Sequence, residues 1–467
     1  MNKTTSFGIT FLLSHIYKKL SHCLPFLPSH FDIHLKELLK GSSISFIIRI
    51  LGMGTGYIFA LLVARNYGAE AMGLFALSQT VLLISSVIGR LGLDTVSLKF
   101  VAEYSSKNQW DLVKEVYVKT LRLLIPASLI LSLLLFCFSS FLSHYIFRKP
   151  HLSSYFQIIS LAILPFAILF LHAESLRGLK KIVAYTIFKN MAIPLFASMI
   201  IGIAIFFSKD MRVPIIAHVI GIIILSIISI IVWFKHVDIF KYKMANSMKY
   251  NNILSISLPM LLSSSMLLVI QWTDTVMLGI FRTEIEVGIY NVALKIANFT
   301  AITLFAINSI AAPKFAEFYG RGDIRGLSRV VKQSTKLIFW TSFPILLVIL
   351  LFPSFILGFF GEEFKAGSHV LLFITIGQFI NAISGSVGVV LQMTGKQKVF
   401  QNIMLIAMVL NIVLNAILIP KYGMNGAAFA SMIAMAFWNL SSVIYIKLHM
   451  NMVTLYIPNI NKNKFKI

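Results

Sequence analysis

Gly73-Leu74-Phe75 and Gly288-Ile289-Tyr290 are one passage of chain written twice, 215 residues apart. At the same offset Lys99-Phe100 falls on Lys314-Phe315 and Thr120 on Thr335. After a one-residue slip, Ala102-Glu103-Tyr104 meets Ala316-Glu317-Phe318. Farther along, at an offset of 217, Gly178-Leu179-Lys180-Lys181 meets Gly395-Lys396-Gln397-Lys398. Neither half carries a recognisable catalytic motif and both carry long apolar runs, so the duplication describes a membrane machine built from two similar bundles.

A 58% hydrophobic content, 12% charged residues and a mean hydropathy of +0.85 lie far outside the range of soluble globular chains. A helix crossing a hydrocarbon core of about 30 Å needs roughly 20 apolar residues. Twelve stretches meet that need: 42–64, 71–93, 121–142, 155–171, 182–207, 213–234, 253–280, 287–311, 337–359, 370–391, 399–419 and 423–446. Six spans per half is an even number, so the halves share one orientation and are related by an axis along the membrane normal, a geometry suited to alternating access. The expected fold is an all-α polytopic membrane protein, with about 12 transmembrane helices as two six-helix parallel repeats around a central cavity. The bundles occupy residues 42–234 and 253–447. A linker (235–252), an extension (1–41) and a tail (448–467) complete the chain.

The Lys/Arg distribution orients the bundles. The N-terminus, the loops after spans 2, 4, 6, 8 and 10 and the tail hold 28 of the 41 Lys and Arg; the opposite loops hold eight. Extension, linker, tail and both termini are therefore expected in the cytoplasm. The net charge of +24 orients helices and meets anionic lipid headgroups, and no nucleic-acid partner is expected. The apolar patch Phe7 to Leu13 is followed by Lys18-Lys19 and has no small-residue cleavage site, so it reads as a surface extension. Two distant cysteines, Cys23 and Cys137, build no disulfide or metal framework.

The opposite loops are short, the longest being roughly Ser143 to Ser154. Glycosyltransferases, polymerases and ligases need acidic or His residues on an outer domain or long loop, and this chain has neither. Gly395-Lys396-Gln397 lacks the upstream glycine and the hydroxyl of a phosphate-cradling loop. Gly52-Met53-Gly54-Thr55-Gly56 sits inside span 1 and reads as close helix packing. No catalysis, cofactor or metal is expected.

A charge at mid-membrane costs roughly 2.5–3.5 kcal/mol on insertion scales, so it usually faces a cavity or a partner. Arg49 (span 1), Lys189 (span 5), Asp274 (span 7) and Lys295 (span 8) are that deep. Three cations against one anion suit a diphosphate or an acidic sugar; each cation–phosphate contact at about 4 Å carries roughly 4 kcal/mol before desolvation at an effective dielectric near 20. Arg49, Gly52 and Gly56 are spaced i, i+3, i+7, and Asn291, Lys295 and Asn298 i, i+4, i+7, so each set shares a helix face. Gln271 and Asp274 also share a face, as do Gln378 and Asn381, and Asn411 and Asn415. Arg49, Lys295, Asn291, Asn298 and Gln271 are candidate cavity contacts for substrate, with interhelical hydrogen bonding the competing role. Asp274, the one deep carboxylate in a chain without an ATP site, is the candidate for a coupling ion, H+ or Na+. It could instead pair with Lys295. Lys189 lies near enough to the inner surface to snorkel, and His172 and His218 read as packed or hydrogen-bonded side chains.

Leu62-Val63-Ala64-Arg65-Asn66-Tyr67-Gly68-Ala69-Glu70-Ala71-Met72-Gly73-Leu74-Phe75, Gly92-Leu93-Asp94 with Lys99-Phe100, and Trp272-Thr273-Asp274-Thr275-Val276-Met277-Leu278-Gly279 followed by Gly288-Ile289-Tyr290 resemble the polysaccharide exporters. These are the O-antigen and capsule flippases of the multidrug/oligosaccharidyl-lipid/polysaccharide superfamily. The resemblance runs from Gly41 to Leu448, and the long segment before Gly41 departs from the family pattern. It implies transfer of an undecaprenyl-diphosphate-linked oligosaccharide between leaflets of the bacterial inner membrane for surface polysaccharide biosynthesis. Membrane lipids and the polysaccharide polymerase machinery are the implied partners. The alternative is a cation-coupled multidrug exporter of the same superfamily, which would carry a more acidic cavity. A major-facilitator carrier would need a basic loop after span 2 that Gly89-Arg90-Leu91-Gly92-Leu93-Asp94 does not supply.

Overall fold

The structure, a computed structural model, describes residues 33–237, 241–245 and 248–456, without the side chains of 33–46, 259, 262–267, 270 and 271. The extension before residue 33, the tail beyond 456, Cys23 and the Gln271 side chain lie outside the described residues. Every regular element among the described residues is helical. Seven helices are long and apolar enough to cross a bilayer, and two pairs bent by 43° raise the number to nine. Two of the seven, Ile47–Arg90 and Gln397–Met450, run to 44 and 54 residues, and each breaks at a glycine with positive φ, Gly68 (83°) and Gly423 (57°). Counted as two crossings each, and with the 32-residue helix Tyr250–Phe281, they bring the spans to twelve.

Spans 1 and 2 are the parts of Ile33–Arg90 on either side of Gly68. Span 3 is Trp110–Cys137, span 4 is Leu152–Ser160 with Ile163–Gly178, span 5 is Ile182–Ala204 and span 6 is Val213–His236. Span 7 is Tyr250–Phe281, span 8 is Glu284–Asn298 continuing as Ala301–Gly320, span 9 is Ile324–Leu351 and span 10 is Glu362–Ser384. Spans 11 and 12 are the parts of Gln397–Met450 on either side of Gly423. Two expected boundaries move for local reasons. Span 9 stops before Pro353, which opens the separate helix Pro353–Gly358 because proline is suited to a first helical turn. Span 10 stops at Ser384, where Gly385 takes φ 73°.

Residues matched by the repeat hold the same posts in both halves. Thr120 and Thr335 are fully buried, and each hydroxyl donates to the carbonyl four residues back, at 2.8 and 3.0 Å. Phe100 and Phe315 are both core residues. The repeated glycines mark where the halves touch. A methyl on Gly73 would lie 1.8 Å from the Glu284 carbonyl oxygen, and one on Gly288 2.0 Å from the Ala69 carbonyl oxygen. Ala69 and Glu284 are themselves partners at the 215-residue offset, so spans 2 and 8 cross reciprocally at the pseudo-two-fold axis. Each supplies a small residue to the other's backbone.

This crossing lies toward the face opposite the linker, here the far face. Polar contacts close the halves around it. The Arg65 Nε donates to the Phe359 carbonyl at 2.7 Å, and the Ala69 amide to Glu363 Oε1 at 2.7 Å. Lys149 Nζ donates to the Arg282 carbonyl at 2.5 Å and lies 3.4 Å from Glu284, while His151 Nε2 meets Glu284 Oε1 at 2.7 Å. Desolvation pulls Lys149 below the usual lysine pKa, with the Glu284 carboxylate opposing the shift. On the linker face, the Met248 amide donates to Glu115 Oε1 at 2.7 Å, and Lys119 donates to both the Met248 carbonyl and Glu115. The linker is thereby pinned to span 3.

Candidate functional site

Two seams separate the halves, one between spans 1 and 8 and one between spans 2 and 7, and the repeat makes them counterparts. Tyr57, Ile296 and Phe299, with Pro344 and Val348 of span 9, line a cavity of about 500 Å³ on the first seam. Ile84, Val87, Trp272 and Val276, with Ile412 of span 11, line one of about 400 Å³ on the second. Tyr57 and Trp272 occupy equivalent positions, as do Phe299 and Ile84. Both cavities are walled by apolar side chains and are shaped for hydrocarbon.

The seams differ in charge. Arg49 is exposed on span 1, with its guanidinium 5.0 Å from the centre of the Phe305 ring across the first seam. Tyr57 stands against Phe299 at 5.7 Å and donates to the Lys295 carbonyl at 2.5 Å, so Lys295 borders the same seam. Neither cation makes an ion pair among the described residues. Their counterparts in the repeat are Ser264 and Thr80, both neutral, while the counterpart of Phe305 is Arg90, which is ion-paired to Asp94 at 2.8 Å. The glycine face beside Arg49 is divided: a methyl on Gly52 would lie 2.7 Å from the Asn190 carbonyl oxygen, whereas Gly56 faces open space. A π-helical turn, Ile187–Met191, brings that carbonyl to span 1. It also places Lys189 2.5 Å from Glu174 Oε1, so Lys189 is ion-paired and does not simply snorkel.

Asp274 does not meet Lys295. It is 5% exposed and accepts from Tyr290 Oη at 2.6 Å, Asn415 Nδ2 at 2.6 Å, Asn411 Nδ2 at 3.2 Å and the Ser431 hydroxyl. Tyr290 and Lys295 are five residues apart on span 8, which at 100° per residue puts them about 140° apart around the helix. The face that reaches Asp274 therefore turns Lys295 away. The carboxylate is held by spans 8, 11 and 12 within one half. Asn415 Oδ1 is buried without a hydrogen-bond partner among the described residues. Rotation of the two amides would therefore offer a hard cation a set of oxygens: one carboxylate, two amide carbonyls and two hydroxyls. The equivalent place in the other half holds Phe59 and Phe75, with ring centres 4.8 Å apart.

Asn291 and Asn298 make hydrogen bonds within the second half. Asn291 donates to the Val287 carbonyl at 3.0 Å and approaches Thr275 Oγ1 at 3.5 Å. Asn298 Oδ1 accepts from Gln378 at 2.9 Å, and Gln378 in turn is bonded by Asn381. Sequence reasoning missed Tyr290 and Ser431 as Asp274 partners; the only trace of the former was a Tyr in the repeat where its counterpart is Phe75.

The model of the polysaccharide biosynthesis protein family matches residues 38–319. The chain belongs to that family. Within the same superfamily, the MatE model matches residues 259–417. The probable low-salt glycan biosynthesis flippase Agl15 of Haloferax volcanii is 28% identical over 166 residues, 35% of each chain, so the match spans about a third of that protein. An uncharacterized membrane protein of Methanocaldococcus jannaschii is 21% identical over 420 residues, 85% of this chain and 81% of that one. Among solved structures, the lipid II flippase MurJ in an inward closed conformation superposes with a TM-score of 0.70 at 16% identity, covering 88% of this chain and 87% of that one. An inward-facing multidrug resistance MATE family transporter gives 0.68 at 13% identity, with 88% and 98% covered. These likenesses establish a multi-pass membrane protein of the twelve-helix fold.

Proposed function

We propose that this protein is a flippase that carries a polyprenyl-diphosphate-linked oligosaccharide from the linker-side leaflet to the far leaflet for surface glycan synthesis. The observation that carries the reading is the charge asymmetry of two seams built alike. Unpaired Arg49 and Lys295 stand at the first, whereas the equivalent positions of the second hold Ser264, Thr80 and an arginine, Arg90, that is ion-paired to Asp94. A lipid with an anionic head is met at the first seam by cations beside an apolar slot for its tail. Family membership and the similarity to a glycan biosynthesis flippase support the same reading. The MatE match over part of the second half favours a multidrug exporter instead, but unpaired cations at the seam oppose cationic drugs. The linker face is assigned to the cytoplasm of a bacterial inner membrane or its archaeal counterpart. A reporter active only outside the cell, fused to Ile467, is expected to stay silent, and a strong signal would reverse this orientation.

Arg49 is assigned to capture of the diphosphate before the halves rock. Lysine retains the charge but loses the two-pronged fit to phosphate oxygens, and alanine loses both. At matched membrane levels, surface glycan should fall from native to Arg49→Lys to Arg49→Ala, the last by about tenfold or more, as for a lost charged hydrogen bond. Full export by Arg49→Ala would remove it from the substrate path. Asp274 and its four donors are assigned to the coupling ion, H+ or Na+, whose affinity would differ between the two states of the halves.

A further inference from the structure

Span 8 is broken where its repeat, span 2, is not. The helices Glu284–Asn298 and Ala301–Gly320 meet at 43°, whereas the span 2 part of Ile33–Arg90 runs unbroken through the equivalent positions. Helix kinks have local causes, proline first among them, but Pro313 lies more than three turns beyond this one. Hydroxyls make the break. Thr300 Oγ1 donates to the Ala297 carbonyl at 2.7 Å and Thr303 Oγ1 to the Thr300 carbonyl at 3.0 Å. The amides of Phe299, Thr300 and Ile302 turn to carbonyls three residues back. Backbone groups freed by the bend are thus satisfied at membrane depth.

Neighbouring spans grip the chain on both sides of the break. Before it, Asn298 accepts from Gln378 of span 10 at 2.9 Å, and Gln378 is bonded in turn by Asn381. After it, Thr303 shares a hydrogen bond with Ser342 of span 9. In span 2 the equivalents of Asn298 and Thr303 are Leu83 and Ile88, which form no such bonds. A cavity of about 10 Å³ separates the break from spans 9 and 10, lined in part by Thr300, Ser342, Gln378 and Asn381. Asn381 Oδ1 is buried without a hydrogen-bond partner among the described residues. Close packing therefore does not fix the angle of the bend, and the hydrogen bonds do.

The two parts of span 8 serve different ends of the molecule. Glu284–Asn298 is held by the crossing at Gly288, by Tyr290 on Asp274 and by Tyr57 on the Lys295 carbonyl. Ala301–Gly320 carries Phe305, whose ring lies 5.0 Å from the Arg49 guanidinium. Phe305 is five residues beyond Thr300, about 7 Å along the axis, so a turn equal to the present bend shifts it by about 5 Å. Such a shift carries the ring beyond the ~6 Å reach of a cation–π contact.

We infer that the break between Asn298 and Ala301 is a hinge of the first seam, with Gln378 and Ser342 as positioning residues. Their hydrogen bonds set the angle at which the linker-side part of span 8 stands to Arg49, and so open or shut the headgroup's way to it. The inference rests on the flippase reading above for what passes the seam.

Spin labels on Leu51 of span 1 and Ser309 of span 8, both exposed, read the hinge. Labels on Glu70 and Ile285 read the far face, and Cys23 and Cys137 are replaced by serine in both cases. Gln378→Met joined to Ser342→Ala nearly keeps side-chain volume and removes both grips. The hinge requires the Leu51–Ser309 distance to shift by several ångströms, up to about 10 Å for a 43° turn nine residues from the break, with the Glu70–Ile285 distance unmoved. Surface glycan should fall about tenfold, as for two lost hydrogen bonds. Ser342→Ala alone, which leaves the amides intact, should move the same pair in the same direction by less. Asn298→Gln joined to Gln378→Asn exchanges the two amides, keeps their bond, and should hold the native distance and export within about threefold of native. An unmoved Leu51–Ser309 distance, a shift at both pairs, or native export from the displaced variant overturns the inference. So does an exchange variant that behaves like the Gln378→Met one. A native protein that neither supports surface glycan nor retains lipid-linked precursor on purification would instead refute the flippase reading, and a Leu51–Ser309 shift confined to that pair would leave the hinge standing.

Discussion

Gly73→Ala is expected to hold the far face open. The added methyl would fall 1.8 Å from the Glu284 carbonyl oxygen, and both partners are backbone, so no side chain can swing aside. Restoring an ordinary carbon–oxygen contact of about 3.3 Å requires the helices to separate by about 1.5 Å. Overpacking of this kind costs roughly 1–3 kcal/mol, a five- to hundredfold or greater loss of the closed population. The bonds from Arg65 to Phe359 and from Ala69 to Glu363 open with it. Cysteines placed at Ala69 and Glu363, with Cys23 and Cys137 replaced by serine, should cross-link readily in the native background and poorly with Gly73→Ala. Gly288→Ala should behave alike, because its methyl would meet the Ala69 carbonyl oxygen at 2.0 Å. Unchanged cross-linking in both variants would mean that the crossing is not the seal.

Asp274→Asn should abolish the response to an imposed ion gradient while leaving the fold intact, since asparagine fills the same volume among Tyr290, Asn411, Asn415 and Ser431. Each monovalent cation moved down 100 mV supplies ~2.3 kcal/mol, which supports a ~50-fold substrate asymmetry. Reconstituted native protein should build such an asymmetry under a Na+ or a H+ gradient, imposed separately so that the effective one names the ion. The variant should only equilibrate its substrate. A variant that still responds to the gradient would move coupling away from this carboxylate.

Much of the architecture was legible because its signals are one-dimensional. Apolar runs reported the spans, and the 215-residue offset reported the duplication. Deep charges could be recognised individually, but their partners could not. Asp274 is held by Asn411, Asn415 and Ser431, residues 137 to 157 positions away, and only the packing of spans 7, 11 and 12 brings them together. The Asn411/Asn415 stripe was visible; what it faced was not. The supposed Asp274–Lys295 pair rested on adjacent spans and neglected the turn of span 8, which presents Tyr290 to one side and Lys295 to another. Asn298 looked cavity-facing by spacing, yet Gln378 on span 10 claims it.

The two seams also bear on why this molecule is a single chain. A homodimer of identical halves would carry the same side chains at both seams by symmetry, so a cation placed for an anionic head at one entrance would appear at the other. It would likewise duplicate the carboxylate that occupies the place of Phe59 in the first half. A single chain is free of that constraint: the first half holds the aromatic pair Phe59 and Phe75 where the second holds Asp274 and Tyr290. At the glycine crossing on the axis, by contrast, the two halves make the same contact on each other, and there a single sequence serves both.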